Sequence, residues 1–268
     1  MNQLPDPNLV AGIIREVAIT EILPRYQSLA ATDIETKSSG EPVTVADEES
    51  ERCLTERLGE LLPGACFIGE EAAERNPQLL NTINGDDPVW IIDPIDGTKN
   101  FAVARPPFVV IVALCHRGET LMGWIYEPLE ERMAFAKKGD GAFINGKQVR
   151  VAEVGSIKQM QGYCAENFIP DNLKTAIDSL REDYADLSNP QCFGYEYLEL
   201  ISGRQGFSLI GRLYPWDHAA GVLLYKEAGG VAAFTDGRGY SPRISDGVLL
   251  LAPTVESWDN INRILEMH

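Results

Sequence analysis

One short segment constrains the fold and function of this chain more than any other: an apolar run that ends in two aspartates and a tight turn. Trp90 to Ile92 are apolar and β-prone, and Asp93-Pro94-Ile95-Asp96-Gly97-Thr98 follows directly. The run predicts a buried strand, which makes the backbone rigid where the turn begins. Two carboxylates three residues apart can point into one cavity, where their repulsion favours a bound divalent cation. An acidic β-turn is the alternative for this segment taken alone.

The turn also offers backbone N–H groups. Gly97 and Thr98 follow the second aspartate. If a helix or turn begins there, their amides form an anion site beside the cation. A cation next to an anion site is the pairing that phosphoryl transfer requires.

Three further carboxylates lie at the ends of predicted elements. Glu70 follows a predicted strand, Asp47 lies in the first turn of a predicted helix, and Asp217 opens another helix. Singly, each has an ordinary structural explanation: the positive end of a helix favours Asp47, and Asp217 is a normal N-cap. His218 is interpreted as a first-turn surface histidine.

The first half of the chain is predicted to extend over residues 1–152. Apolar residues at helical spacing predict a helix over about Asn8 to Leu23 and a second one from about Ala46 to the Pro63-Gly64 pair. β-rich runs between turn signals predict strands at Cys66 to Ile68, Val89 to Ile92, Phe108 to Leu114, Leu121 to Tyr126 and Met133 to Ala136, and a hairpin turning at Asn145-Gly146.

The second half, residues 153–268, alternates strands and helices. The predicted elements are a strand at Gln161 to Ala165, a helix over about Asn172 to Tyr184, a strand near Cys192, helices at Tyr197 to Ile201 and Trp216 to Ala228, strands at Val231 to Thr235 and Val248 to Leu251, and a helix from Glu256. No internal repeat or low-complexity linker separates the halves, so we expect them to pack as one body.

Charge and composition narrow the possible functions. The chain has 268 residues, 44% of them hydrophobic, with 40 acidic against 23 basic residues and a net charge of -17. This charge disfavours nucleic acid and anionic membranes as partners, and nothing in the sequence predicts a signal peptide or membrane span. The five cysteines form no CxxC pair and are interpreted as reduced thiols. The expected location is the cytoplasm.

Together, the segments resemble the inositol monophosphatase family. The matching segments are Val43 to Asp47, Gly69-Glu70-Glu71, Asp93 to Thr98, and Trp216 to Gly221 continuing to Glu227-Ala228-Gly229-Gly230. They occur in the family's order with similar spacing. The resemblance implies a mixed α/β fold, a layered α/β/α/β/α sandwich of the inositol monophosphatase and fructose bisphosphatase type. It also implies a homodimer with its metal site between the two halves of each chain.

The resemblance further implies a metal-binding set and a catalytic set. The implied ligands are Glu70, Asp93 and the Ile95 carbonyl for one Mg²⁺, Asp93, Asp96 and Asp217 for a second, and Glu70 near Asp47 for a third, weaker ion. The implied catalytic residues are Asp47, Glu70 and Thr98. Thr98, paired with Asp47, would help to deprotonate the attacking water, and the amides of Gly97 and Thr98 would hold the phosphate. One ion would lower the pKa of the water and the other would stabilise the leaving alkoxide.

The implied reaction is hydrolysis of a small, soluble phosphate monoester, such as an inositol monophosphate or another polyol or sugar phosphate. Lithium is expected to inhibit by replacing the second ion, at Asp96 and Asp217. At Lys99 the chain departs from many family members, which have a second threonine there. Lys99 is either a phosphate contact or a solvated loop residue.

Two substitutions concern the implied substrate pocket of Gly194, Glu196, Ile210 and Arg212. Ile210 occupies the position where inositol-specialised relatives present a glutamate, and Glu196 replaces a small residue. Losing a carboxylate that meets substrate hydroxyls predicts a weaker preference for inositol 1-phosphate. Glu196 and Arg212 could instead favour an amine or a second phosphate. The alternative is a surface ion pair between them and a promiscuous enzyme.

Rival functions also fit parts of the pattern. Histidinol phosphate, fructose bisphosphate and 3′,5′-nucleotide bisphosphates are alternative substrates on the same fold. Haloacid-dehalogenase-type phosphatases also end an apolar strand in aspartates, but with one residue between them, whereas two separate Asp93 and Asp96. Such an enzyme would form an aspartyl-phosphate. An interaction or regulatory protein that retains the fold is the alternative of another class, and the complete carboxylate set argues against it.

Overall fold

The computed structural model describes residues 4–152, 160–183 and 187–267. Its α-helices are α1 (Pro7–Val17), α2 (Val45–Leu61), α3 (Glu70–Arg75), α4 (Thr98–Ala102), α5 (Lys174–Asp183), α6 (Phe193–Ile201), α7 (Pro215–Glu227) and α8 (Val255–Glu266). The strands are β1 (Ile34–Thr36), β2 (Pro42–Thr44), β3 (Cys66–Gly69), β4 (Pro88–Asp96), β5 (Val109–His116), β6 (Glu119–Glu127), β7 (Arg132–Lys137), β8 (Gly141–Ile144), β9 (Lys147–Val149), β10 (Gly162–Cys164), β11 (Leu187–Ser188), β12 (Phe207–Ile210), β13 (Val231–Phe234) and β14 (Leu249–Ala252).

These strands form two large sheets and one hairpin. The first sheet has seven strands in the order β3-β4-β5-β6-β7-β8-β9, antiparallel except for the β3–β4 pair. The second has five strands in the order β11-β10-β12-β14-β13, and β1 pairs with β2 separately. The predicted meander and the Asn145-Gly146 hairpin are confirmed, since β5 to β9 pair with their neighbours in chain order.

Alternation along the strands divides the interior into layers. In β4, Trp90 packs with α1 and α2, whereas Ile91 on the opposite face packs with α6, α7 and one face of the five-stranded sheet. The other face of that sheet packs against α5 and α8, for example through Leu250. The order is helices, sheet, helices, sheet, helices. This confirms the predicted α/β/α/β/α sandwich.

Two glycines let α7 lie close to its neighbours. A Cβ on Gly123 of β6 would lie 2.8 Å from Ala220 Cα, and a Cβ on Gly221 would lie 2.1 Å from Tyr197 of α6. Larger residues would push α7 away from the sheet. The close packing brings the start of α7, with Asp217, to the C-terminal end of β4.

Among the described helices, none is long and apolar enough to cross a membrane.

The prediction of a strand near Cys192 is wrong. Cys192 immediately precedes α6, which begins at Phe193 rather than at the predicted Tyr197, and the nearby strand is β11. Helix α6 is buried on nearly every side, so its sequence lacks the polar stripe by which a helix is identified. Strand β12 was not predicted at all, because a run of four residues, three of them apolar, does not distinguish a strand from other buried structure. The predicted helix end at Tyr184 and Glu153, the first residue of the predicted second half, lie outside the described residues, and the 152/153 boundary stays a prediction.

Candidate active site

A bulge in β4 directs its two aspartates to the same side. Side chains alternate along a regular strand, so Asp93 and Asp96, three residues apart, would face opposite ways. Asp93 pairs with Ile111 and Asp96 with Val109, so three steps along β4 match two along β5. The extra residue restores a common direction. The Ile95 N–H donates to Asp93 Oδ1 at 3.0 Å and fixes the turn.

Asp217 adds a third carboxylate from the second half of the chain. It lies in the first turn of α7, just after Pro215, a residue suited to a helix start. One carboxylate oxygen each from Asp93, Asp96 and Asp217 lies within 4.8 Å of the others, and all three side chains are buried. Asp217 Oδ2 has no hydrogen-bond partner. Converging buried carboxylates are the ligands that a hard divalent cation such as Mg²⁺ prefers.

The N-terminus of α6 holds Asp96 in place. The Gly194 N–H donates to Asp96 Oδ2 at 2.5 Å, and Cys192 Sγ lies 3.3 Å from the same oxygen. A helix N-terminus favours a negative charge. A Cβ on Gly194 would lie 2.5 Å from Val109 Cγ2, so glycine allows α6 to approach β5. The second half of the chain therefore orients a carboxylate of the first.

Asp47 and Thr98 are hydrogen-bonded as the resemblance implies. The N–H and hydroxyl of Thr44, which caps α2, donate to Asp47 Oδ2 at 2.8 and 2.6 Å. The other oxygen of Asp47 lies 3.1 Å from Thr98 Oγ1, which is also 2.9 Å from the Ile95 carbonyl oxygen. The hydroxyl has one proton and donates to one of these acceptors at a time.

Glu70 contacts a lysine that the sequence analysis missed. Lys37, in the turn between β1 and β2, donates through Nζ to Glu70 Oε1 at 2.6 Å and Glu71 Oε1 at 2.7 Å. Only 5% of its side chain is exposed. Burial acts to lower the pKa of Lys37, but the two carboxylates outweigh it and raise that pKa. A lysine in a Ser-Ser-Gly turn is usually solvated, so the sequence did not predict this contact. It is evident only from where the β1–β2 hairpin lies in the folded chain.

Burial and like charge raise the pKa values of the acidic cluster. Burial, followed by the charges of Glu70 and Asp96, raises the pKa of Asp93 well above its usual range. Burial also raises the pKa of Asp217 strongly, against the opposing charge of Arg212. The pKa of Asp96 rises to about 6 and that of Asp47 to about 7, in each case chiefly by burial. A bound cation would relieve this repulsion.

Arg212 joins the two halves across the mouth of the site. Its Nη1 donates to Glu41 Oε1 at 2.7 Å, and its Nη2 lies 3.3 Å from Asp217 Oδ2. The guanidinium packs over the rings of Phe168 and Phe193, at 4.7 and 5.2 Å from their centroids. Carboxylates and aromatic rings thus hold it on several sides.

The prediction of a surface His218 is wrong. Its side chain is fully buried, Nε2–H donates to the Arg212 carbonyl at 2.6 Å, and Nδ1 accepts from the Tyr197 hydroxyl at 3.2 Å. Burial lowers the pKa of His218 to about 3. The imidazole is therefore neutral at pH 7 and fixes the turn that leads into α7.

Glu196 lies on α6 with 2% of its surface exposed. Its Oε2 accepts a hydrogen bond from Ser208 Oγ at 2.8 Å. Ile210, two residues after Ser208 on β12, is also buried. Arg212 forms its ion pairs with Glu41 and Asp217 instead of Glu196. The alternative of a surface ion pair between Glu196 and Arg212 is therefore wrong.

These groups surround a cavity of about 280 Å³. Its walls include the carboxylates Glu41, Glu70, Asp93, Asp96, Glu196 and Asp217, the cations Lys99 and Arg212, and the turn residues Ile95, Gly97 and Thr98. Of the predicted site residues, Asp47, Gly194 and Ile210 lie behind this lining. Lys99 is half exposed and lies 3.3 Å from Glu41, so its contact in this structure is a carboxylate at the rim.

A five-layered α/β sandwich with a buried carboxylate cluster between the end of β4 and the start of α7 is the arrangement of a class of phosphatases built around an acidic cavity. The model of the "Inositol monophosphatase family" matches residues 10–266. The chain therefore belongs to that family and is a phosphoric monoester hydrolase.

Individual relatives agree with this assignment. The chain is 34% identical to an inositol-1-monophosphatase of Mesorhizobium japonicum over 210 residues, 75% of each chain. It is 31% identical to the Nus factor SuhB of Escherichia coli K12 over 228 residues, 82% of each chain. The fold matches the solved structure of a Thermotoga maritima IMPase with a TM-score of 0.82 and 24% identity, covering 97% of this chain and 96% of the other.

Proposed function

We propose that this chain is a Mg²⁺-dependent phosphatase that hydrolyses a small, soluble phosphate monoester by direct attack of water. The observation that carries the proposal is the convergence of Asp93, Asp96 and Asp217, whose oxygens lie within 4.8 Å of one another in a buried cavity. Such a concentration of negative charge is costly unless cations offset it. Glu70 on the same cavity wall supplies a fourth carboxylate.

The residues present fit Mg²⁺. All the donors are hard oxygen atoms, and Asp217 Oδ2 lacks a hydrogen-bond partner, as a ligand atom would. We assign one ion to Glu70, Asp93 and the Ile95 carbonyl, a second to Asp93, Asp96 and Asp217, and a weaker third to Glu70 near Asp47. When bound, these ions supply Lewis-acid chemistry, which neutralises the phosphate and lowers the pKa of water.

The protein groups then position the reactants. We assign the amides of Gly97 and Thr98 to the phosphate. Gly97 has φ of 94° and a Cβ there would lie 2.8 Å from the Pro107 carbonyl, so only glycine suits this turn. Thr98 and Asp47 are assigned to the attacking water, whose proton would pass through the hydroxyl toward the Asp47 carboxylate. Positioning and charge neutralisation dominate phosphoryl transfer, so no covalent enzyme intermediate is needed.

A phosphate-release screen with Mg²⁺ tests this function. The panel should contain inositol 1-phosphate, glycerol phosphate, histidinol phosphate, fructose 1,6-bisphosphate and adenosine 3′,5′-bisphosphate. We expect release from several monophosphates, loss of release with EDTA, and inositol 1-phosphate less than tenfold better than the next substrate because Ile210 replaces a carboxylate. A phosphoenzyme trapped on Asp93 would instead support the aspartyl-phosphate mechanism.

Lithium sharpens the assignment of the second ion. We expect tens of millimolar Li⁺ at modest Mg²⁺ to inhibit, because a monovalent ion at Asp96 and Asp217 leaves one positive charge too few for normal product release. Na⁺ at equal ionic strength is the control. A rate that Li⁺ leaves unchanged would argue against this second site. We also propose a homodimer, which the resemblance to the family implies, and a cytoplasmic location, which follows from the sequence patterns alone.

A regulatory role is the second candidate, because relatives from Salmonella typhimurium and Escherichia coli are named as Nus factors. It would act beside catalysis, since every predicted carboxylate is present. Purified protein that releases no phosphate from any ester in the panel with Mg²⁺ would favour a role through partners alone.

A further inference from the structure

We propose that Glu196 and Ser208 form a subsite for a cationic group, so that the preferred substrate is the phosphate monoester of an amino alcohol. The inference rests on the proposed phosphatase function and narrows its substrate class. It depends on the hydrogen-bond and ion-pair partners of Glu196 and of Arg212, which the sequence alone left undecided.

Glu196 is a buried carboxylate without a cationic partner. It lines the cavity with 2% of its surface exposed, and its one side-chain hydrogen bond comes from the neutral Ser208 hydroxyl. Within the part of the chain that the structure describes, no lysine or arginine forms an ion pair with it. Burial raises the pKa of Glu196 to about 8, because an ionised carboxylate without a partner is costly there, and a cation arriving with the substrate would offset the cost of ionising it.

Helix α6 itself provides a comparison. Glu199, three residues further along, is bound by Arg132 at 2.9 Å and by Arg204 at 2.6 Å. Glu199, which is not part of the cavity lining, therefore has two arginine partners. Glu196, which lines the cavity, has no cationic partner among the described residues. This difference indicates that the cationic partner of Glu196 comes from outside the described part of the chain, with the substrate.

Arg212 is already committed, which disfavours a second phosphate. Its guanidinium pairs with Glu41 at 2.7 Å and with Asp217 at 3.3 Å, and it packs against Phe168 and Phe193. The other cation of the lining, Lys99, lies 3.3 Å from Glu41. A second phosphate would compete with the carboxylates for both Nη atoms of Arg212, and Nε, which has no hydrogen-bond partner, is buried. An ammonium would instead meet Glu196, which has no cationic partner among the described residues.

The position of Glu196 suits recognition of the leaving alcohol. Gly194, two residues earlier on α6, holds Asp96 of the carboxylate cluster. Ser208 and Ile210 lie on the same face of β12, because side chains alternate along a strand. Glu196 thus reaches from the helix to the strand face that Ile210 occupies. A carboxylate remains in this part of the pocket, beside the place where phosphate is hydrolysed.

Matched substrates test the proposal. Serinol phosphate and glycerol 1-phosphate differ by an ammonium in place of a hydroxyl, as do glucosamine 6-phosphate and glucose 6-phosphate. We expect kcat/KM with Mg²⁺ to be at least about tenfold higher for the amino member of one or both pairs, since a charge-assisted hydrogen bond discriminates strongly. Equal rates, or preference for the hydroxyl member in both pairs, would overturn the proposal.

Two substitutions test whether Glu196 causes the preference for the amino substrate. Glu196→Gln keeps the shape and a hydrogen-bonding group for Ser208, and should reduce the ratio of kcat/KM between the amino and hydroxyl members of each pair to about unity. Glu199→Gln, on the same helix but outside the cavity, is the matched control and should retain the preference. A preference that survives Glu196→Gln would show that another group binds the ammonium.

Binding separates failure of this proposal from failure of the proposed function. Calorimetry with Ca²⁺ in place of Mg²⁺ gives affinities for both members of each pair without requiring turnover. Tighter binding of the amino member to the wild type, lost in Glu196→Gln, would support the subsite even if no ester were hydrolysed. Equal binding would overturn it even if the chain proved to be an active phosphatase.

Discussion

Two acidic regions of this protein are built in opposite ways. In one, Glu127 and Glu199 are joined by Arg132, at 2.8 and 2.9 Å, and Arg204 adds two contacts to Glu199 at 2.6 Å. In the other, Asp93, Asp96 and Asp217 converge, and Arg212 is the one cation among the described residues that forms an ion pair with any of them. We call the first region the paired network and the second the carboxylate cluster.

The difference separates structural charges from functional ones. The paired network has two carboxylates and two guanidiniums and joins β6, β7 and α6 without any ligand. The carboxylate cluster has more negative charge than its neighbours neutralise, so burial and repulsion raise the pKa of Asp93 well above its usual range. Proteins retain an unfavourable arrangement of buried charge of this kind where function requires it. The comparison predicts that substitutions in the two regions affect different measurements.

The largest expected effect is on turnover. Asp93→Asn should lower kcat by at least about a thousandfold, because Asp93 is proposed to bind two ions. The metal-free protein should fold as well as the wild type or slightly better, since one buried charge is removed. Activity above a tenth of wild type would break the assignment of Asp93. A large fall in the melting temperature without metal would mean that the cluster is structural.

The paired network should show the opposite result. Arg132→Met keeps most of the side-chain volume but leaves Glu127 buried without a cation, and should destabilise the fold by about 3 kcal/mol. Turnover of the folded protein at low temperature should be nearly unchanged. Arg204→Met is the matched control: that side chain is 55% exposed, so its loss should cost less than about 1 kcal/mol. Urea unfolding measures both.

Mg²⁺ should stabilise the protein through the carboxylate cluster alone. At a concentration 100 times its Kd, a ligand specific for the native state adds about 2.7 kcal/mol. We expect thermal unfolding to shift upward with Mg²⁺ in the wild type and in Arg132→Met. The shift should be much smaller in Asp93→Asn. Equal shifts in all three proteins would place the bound ions elsewhere.

The smallest expected effect concerns pH and His218, whose imidazole supports the turn before the cluster. Its folded pKa is about 3, below the usual 6.5, so its contribution to stability is present above pH 6.5 and is lost as pH falls toward 3. Between pH 7 and pH 5 this loss is about 2 kcal/mol. His218→Phe lacks the titration, so its stability deficit relative to wild type should shrink by that amount.

The carboxylate cluster changes stability in the other direction. Raised carboxyl pKa values favour the metal-free fold at low pH and cease to do so as pH rises through them, so the wild-type profile alone mixes the two effects. The difference between wild type and His218→Phe isolates the histidine. A deficit that is constant from pH 7 to pH 5 would contradict the buried, neutral assignment of His218.

Sequence by itself determined the fold class and the family, because these follow from local patterns. Local sequence patterns predicted the strand from Trp90 to Ile92 and the antiparallel meander. They also include the order of the acidic segments. The first turn of helix α6, Phe193 to Glu196, and strand β12 were not predicted, since elements buried on nearly all sides have no polar face to mark their period. Sequence order also identified the carboxylates Asp93, Asp96 and Asp217 as one set.

Only the tertiary structure decided which charges are paired. Lys37 joins Glu70 from a turn 33 residues away, and Arg212 joins Glu41 across 171 residues. Pairing depends on distance in space and on burial, and neither follows from a residue's own neighbours in sequence. For that reason the sequence identified the carboxylates of this site, but only the folded chain shows that Glu196 lacks a cationic partner within its described part.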